Sequence, residues 1–128
     1  MKALLDTCVF LWLNADLEKI PLHVRDVCAT RDNELYLSAA SAWEVALKWK
    51  SGRLILPEEP SLWIPSRREK NGVETLPITE EDAFTLAKLP PLHKDPFDRM
   101  LVCQALSRGL VIVTPDPLIR QYPARMLW

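Results

Sequence analysis

The chain has 128 residues, a size at which one hydrophobic core is the rule, and it reads as a single domain over residues 1–128. With 48% hydrophobic and 26% charged residues it is neither disordered nor fibrous, and no apolar run approaches the ~20 residues of a membrane-spanning helix. The net charge of −1 does not favour a nucleic-acid binder, but a cluster of acids at a metal site would mask a basic rim, so the sum excludes nothing there.

Lys2–Asp6 is a short apolar run ending in an acid and reads as a buried strand. That acid interrupts what would otherwise continue as the apolar stretch of a signal peptide, so a cytoplasmic location is expected. Val9–Leu13 starts a short helix, and Pro21 opens a second through Leu22, Val24, Val27 and Cys28. Leu35–Ser38 is the second strand. Ser41 begins a helix that runs to about Ser51, where Gly52 stops it. Pro60–Asn71 is a weaker helix, expected to be interrupted at Pro65 and closed by Gly72. Val73–Leu76 is the third strand. Thr79 caps a helix with an acidic first turn, Glu80, Glu81 and Asp82, which suits the helix dipole. After a Pro-rich loop, Asp95-Pro96 opens a helix that Gly109 ends. Leu110–Thr114 is the fourth strand, Pro117–Gln121 a short helix, and Ala124–Leu127 the fifth strand. Strands alternating with helices predict an α/β fold with a parallel sheet covered by helices on both faces, a three-layer α/β/α arrangement.

In such sheets ligands bind beyond the carboxyl ends of the strands. Asp6 follows the first strand, Glu44 lies one turn into the helix after the second, and Asp116 follows the fourth. Asp98 sits in the first turn of the helix leading into the fourth strand. Each has a plainer reading. Ser41-Ala42-Trp43-Glu44 matches a capping box. Asp98 suits a helix start that Asp95 caps, and Asp116 between two prolines suits a turn. Asp6 is harder to explain away, because a carboxylate within an apolar stretch costs free energy unless it is paired or bound to a cation. Convergent carboxylates repel one another, and a hard cation such as Mg2+ or Mn2+, which prefers oxygen ligands, resolves the repulsion. One or two such ions support phosphodiester hydrolysis.

No Ser-His-Asp set, phosphate loop or G-x-G-x-x-G is present. Cys8, Cys28 and Cys103 show neither disulfide nor zinc spacing and are expected to be reduced, packed thiols. His23 and His93 lack metal-ligand spacing and are expected at the surface.

Leu4-Leu5-Asp6-Thr7, Ser38 to Glu44, His93-Lys94-Asp95-Pro96-Phe97-Asp98-Arg99 and Thr114-Pro115-Asp116 resemble, in order and spacing, the motifs of PIN-domain proteins, above all the VapC-type toxins of toxin–antitoxin pairs. The likeness covers essentially the whole chain. It implies strand order 3-2-1-4-5, an acidic site holding Mg2+ or Mn2+, endoribonuclease activity, a homodimer and an antitoxin partner. By position, Asp6, Glu44 and Asp98 match the three family acids, Asp116 the more variable fourth, and Thr114 the small hydroxyl residue beside the site. Cys8 departs from the family, where His usually follows the D-T pair.

Two other readings compete. A catalytically silent PIN-fold interaction module would be expected to have gaps in the acidic set. A phosphotransferase using Asp6 as nucleophile would want a second acid at the position of Cys8. For the RNase reading, Lys48, Lys50, Arg53, Arg67, Arg68 and Lys70 either line the RNA path or form a solvated helix face. Trp43 and Trp49 fall on different faces of one helix, so at least one is expected to meet a partner. Surface around Leu11, Trp12 and the second helix is the expected antitoxin-binding region, with a partner's Arg or Lys entering the acidic site.

Overall fold

The computed structural model describes residues 1–128. Strands β1 (Lys2–Leu5), β2 (Glu34–Ser38), β3 (Val73–Leu76), β4 (Val111–Val113) and β5 (Met126–Leu127) form one sheet in the order β3-β2-β1-β4-β5, with every neighbouring pair parallel. The central strand, β1, pairs with β2 through Leu4↔Tyr36 and with β4 through Leu4↔Ile112. Its apolar run divides between two cores because side chains alternate along a strand. Ala3 and Leu5 join Phe10, Leu37, Trp63 and Val113 on one face, while Leu4 joins Leu101, Val102, Ile112 and Ile119 on the other. Only a strand covered on both sides needs such a continuous run.

Helices α1 (Thr7–Ala15), α2 (Leu22–Ala29), α3 (Ala39–Lys50) and α4 (Pro60–Asn71) supply residues to the first core, and α6 (Pro96–Arg108) dominates the second. Phe10 and Trp63 meet edge to face at 5.9 Å, locking α1 to α4. Truncating either ring to Ala should cost about 3–5 kcal/mol.

Three local expectations change. Helix α3 begins at Ala39, not Ser41, because Ser38 at the end of β2 already caps it, its hydroxyl accepting from the Ala40 N–H at 3.0 Å. Ser41 and Glu44 therefore form no capping box. Pro65 does not interrupt α4, which runs unbroken from Pro60 to Asn71. Pro65 and Ser61 are both exposed, so the carbonyl that loses its partner faces water, while Trp63 and Ile64 hold the helix to the core. Gly72 closes α4 at φ 65°, in the left-handed region glycine reaches without a Cβ clash. The cap at Thr79 goes beyond the expectation. Helix α5 (Glu80–Lys88) starts with a full capping box in which the Thr79 and Asp82 side chains exchange bonds with each other's backbone N–H.

Candidate active site

From β1 the sheet grows in both directions, to β2 and β3 on one side and to β4 and β5 on the other. The crevice between β1 and β4 is thus the topological switch point, where α/β sheets place their ligands. Asp6 leaves β1 here, its N–H bonded to the Val113 carbonyl at 3.0 Å. Thr114 leaves β4 beside it and donates its hydroxyl to Asp6 Oδ2 at 2.7 Å, with both residues buried. The Thr7 hydroxyl donates to Ser41 Oγ at 2.8 Å and ties the start of α1 to α3. One helical turn on, Glu44 is buried at the edge of the same space. Its Oε2 accepts from Lys48 Nζ at 2.6 Å, and its Oε1 is buried with no hydrogen-bond partner.

Asp98 arrives on α6. The side chain of Asp95 accepts from the N–H groups of Phe97 and Asp98 at 2.8 and 3.2 Å, and Pro96 occupies the first turn. Asp95 is therefore the N-cap, as its sequence position implies. Asp116 Oδ1 accepts from the Leu118 N–H at 2.8 Å, the turn role expected of it. Its other oxygen, Oδ2, faces the His93 ring. His93 Nε2 lies 3.0 Å from Asp98 Oδ2 and 3.1 Å from Asp116 Oδ2.

His93 overturns its expectation. It is 9% exposed rather than at the surface, whereas His23 is exposed as expected. Its backbone N–H donates to Tyr122 Oη at 2.9 Å, and that hydroxyl donates to the Pro90 carbonyl at 2.9 Å. No spacing rule links residues 93, 98, 116 and 122. The only signal was the position of His93 at the head of the His-Lys-Asp-Pro-Phe-Asp stretch.

The four acids share one electrostatic field. Burial pushes the Asp6 carboxyl above its ordinary range; bonds from Thr114 and the Thr7 N–H oppose this, and the charges of Glu44 and Asp116 add to it. Burial, then the charges of Asp6, Asp95 and Glu44, push Asp98 up to about 7 against the pull of His93. Burial and the adjacent Asp6 keep the Cys8 thiol protonated. The three cysteines are free thiols.

This donor set fits a hard cation. It is rich in carboxylate oxygen, Glu44 Oε1 is an orphaned buried acceptor, and donor atoms of His93, Asp98 and Asp116 lie within 4.8 Å of one another. Of the six cations singled out in the sequence, Lys48 and Arg53 border a hollow with Glu44 and Phe97. Arg68 instead bonds Thr75, and Arg67 borders a separate groove with Leu11, Trp12 and Trp63. Trp43 is exposed and meets Phe97 edge to face at 5.0 Å; Trp49 is exposed as well.

The chain is similar to known proteins in sequence and in fold. Ribonuclease VapC22 of Mycobacterium tuberculosis is 29% identical over 120 residues, covering 93% of this chain and 90% of that protein. Ribonuclease VapC16 of the same organism is 40% identical over 53 residues, which span 41% of this chain and only 36% of that relative. Two solved structures share the fold over 99% of this chain: VapBC2 from Rickettsia felis, bound to a DNA fragment from its promoter, with TM-score 0.75, 13% identity and 98% of that chain covered, and VapBC-1 from nontypeable Haemophilus influenzae, with TM-score 0.68, 19% identity and 97% covered. The family model for the PIN domain matches residues 3–124, nearly the full length. By that match, and by a sheet order that agrees with it, this chain belongs to the PIN domain family.

Proposed function

We propose that the chain is a Mg2+-dependent endoribonuclease that hydrolyses RNA phosphodiester bonds and serves as the toxin of a toxin–antitoxin pair. The observation that carries this reading is the buried, unpartnered Glu44 Oε1 among carboxyls whose burial and mutual repulsion call for a cation. The relatives' names, ribonucleases VapC16 and VapC22, supply the substrate class. Asp6, Glu44, Asp98 and Asp116 would hold Mg2+, or Mn2+ in its place. When bound, such an ion polarises a phosphoryl oxygen, lowers the pKa of its water and stabilises the leaving oxygen. The chain's own residues arrange this centre. Thr114 orients Asp6, Lys48 occupies one oxygen of Glu44 and leaves the other free, and Leu118 and His93 fix Asp116. Lys48 and Arg53 stand where they would meet backbone phosphates.

The decisive experiment is incubation of the pure protein with RNA in Mg2+ and in EDTA. Cleavage in Mg2+ that EDTA abolishes supports the reading; cleavage unaffected by EDTA, or none in either, defeats it.

Two solved structures that share this fold are VapBC complexes, and a cytoplasmic RNase needs restraint, so we assign this chain a cognate antitoxin. The groove of Leu11, Trp12, Leu54, Leu56 and Trp63 suits an apolar segment of that partner, whose Arg or Lys would compete for the acids. No helix is long and apolar enough to cross a membrane. Exposed Trp43 and Trp49 on α3 support a homodimer. A monomeric mass at micromolar concentration would argue against it.

A further inference from the structure

We infer that His93 is a positioning residue that turns an N–H, not a lone pair, towards the acidic centre, holding Asp98 and Asp116 as a pair instead of joining them as a third metal ligand. The inference rests on the metal-centre reading above. By spacing alone the opposite would follow, since donor atoms of His93, Asp98 and Asp116 lie within 4.8 Å of one another. The far side of the ring decides between the two. His93 Nδ1 accepts the backbone N–H of Asp95 at 3.1 Å. A ring nitrogen that accepts carries no hydrogen, so the ring N–H facing the acids is the one on Nε2. That N–H donates to Asp116 Oδ2 at 3.1 Å, and Asp98 Oδ2 lies 3.0 Å from the same nitrogen.

For Nε2 to bind a cation, the ring hydrogen would have to move to Nδ1, where it would confront the Asp95 N–H. Asp95 is the residue that caps α6, and α6 carries Asp98. Ligation by His93 would therefore disturb the start of the helix that delivers a neighbouring acid. The observed arrangement has no such conflict. The ring's position is set independently by the bond from its backbone N–H to Tyr122 Oη and by the bond from Arg99 Nη1 to its carbonyl, at 2.9 and 3.4 Å. His93 thus links the loop before α6 to the turn after β4, and its ring nitrogen stands between two acids that no other side chain connects.

Mn2+ alone serves as the probe. Pulsed EPR of the Mn2+-loaded wild-type chain should show no directly bound nitrogen, and long-range 1H–15N NMR of the metal-free ring should show the Nε2–H tautomer. In calorimetric titrations, His93→Ala should weaken Mn2+ binding about 10- to 100-fold, the range for loss of a ligand-orienting partner. His93→Gln, whose amide N–H reaches a similar distance, should recover much of it. A nitrogen coupling of direct ligation, an Nδ1–H tautomer, or unchanged Mn2+ affinity in His93→Ala would overturn the inference. The two wild-type measurements stand even if His93→Ala fails to fold. A wild-type chain that binds no Mn2+ overturns the metal-centre reading itself, and this inference with it, an outcome distinct from tight binding through a nitrogen.

Discussion

Asp82 and Asp98 occupy the same position in their helices, the third residue, and meet opposite electrostatic environments. Asp82 is fully buried where α5 packs on α6. Burial by itself would raise its carboxyl, but Arg108 at 2.6 and 3.0 Å, the Thr79 N–H at 2.9 Å and the Ser107 hydroxyl at 3.1 Å outweigh burial and bring it to about 2. Asp98 has no such guanidinium. Its helix is already capped by Asp95, its charged neighbours apart from His93 are acids, and it rises to about 7. A buried carboxylate with its counter-charge is part of the scaffold. One surrounded by other acids marks a place where the protein has kept a binding capacity that its own side chains do not fill.

The largest expected effect separates these roles. Asp98→Asn should reduce RNA cleavage about a thousandfold or more, several kcal/mol of lost transition-state stabilisation, while raising the melting temperature in EDTA by relieving repulsion. Asp6→Asn should do the same. An Asp98→Asn protein that cleaves like its parent would remove these acids from the chemistry. Next, Arg108→Ala should destabilise the fold by about 2–3 kcal/mol, because it strips the counter-charge from a buried acid that keeps its other bonds. Denaturant unfolding reads this directly. The folded fraction should cut RNA normally.

The contrast also has a pH signature of opposite sign. The folded carboxyl of Asp98 is raised above its ordinary 3.8, so over that window the folded protein binds its proton more tightly than the unfolded chain does. Stability in EDTA should therefore fall as pH rises from about 4 to about 7, and Mg2+ should restore it. The carboxyl of Asp82 is lowered, so its contribution is present above about 4 and is lost as pH falls towards 2. Melting curves in EDTA that are flat between about pH 5 and 7.5 would contradict the Asp98 half of the comparison. The smallest effect concerns substrate. Arg53→Glu should weaken RNA binding a few-fold and flatten the slope of log affinity against log salt by about 0.7 for each phosphate that is no longer neutralised. An unchanged slope would return Arg53 to the solvated face.

Much of this was legible in the chain before any coordinates. The strand–helix alternation, the caps at Thr79 and Asp95 and the glycine stops at 72 and 109 are local features, decided by residues within a few positions of one another. The strand order came through the likeness of motifs, not from periodicity, whereas the four acids stood out by their place at strand ends and helix starts and matched the family motifs afterwards. Local signals also misled where a nearer partner intervened, as when Ser38 took the cap that Ser41-x-x-Glu44 imitates.

By itself the sequence determined where apolar runs must be buried on two faces and which four acids lie near strand ends or helix starts, because both follow from short-range pattern. Only the tertiary structure decided that Thr114 holds Asp6 across 108 positions, that Arg108 neutralises Asp82 across 26, and that His93 reaches Asp116 across 23. It alone left Glu44 Oε1 without a partner. Whether a buried carboxylate is satisfied depends on which distant groups the fold brings within about 3 Å of it, and no sequence period encodes that distance.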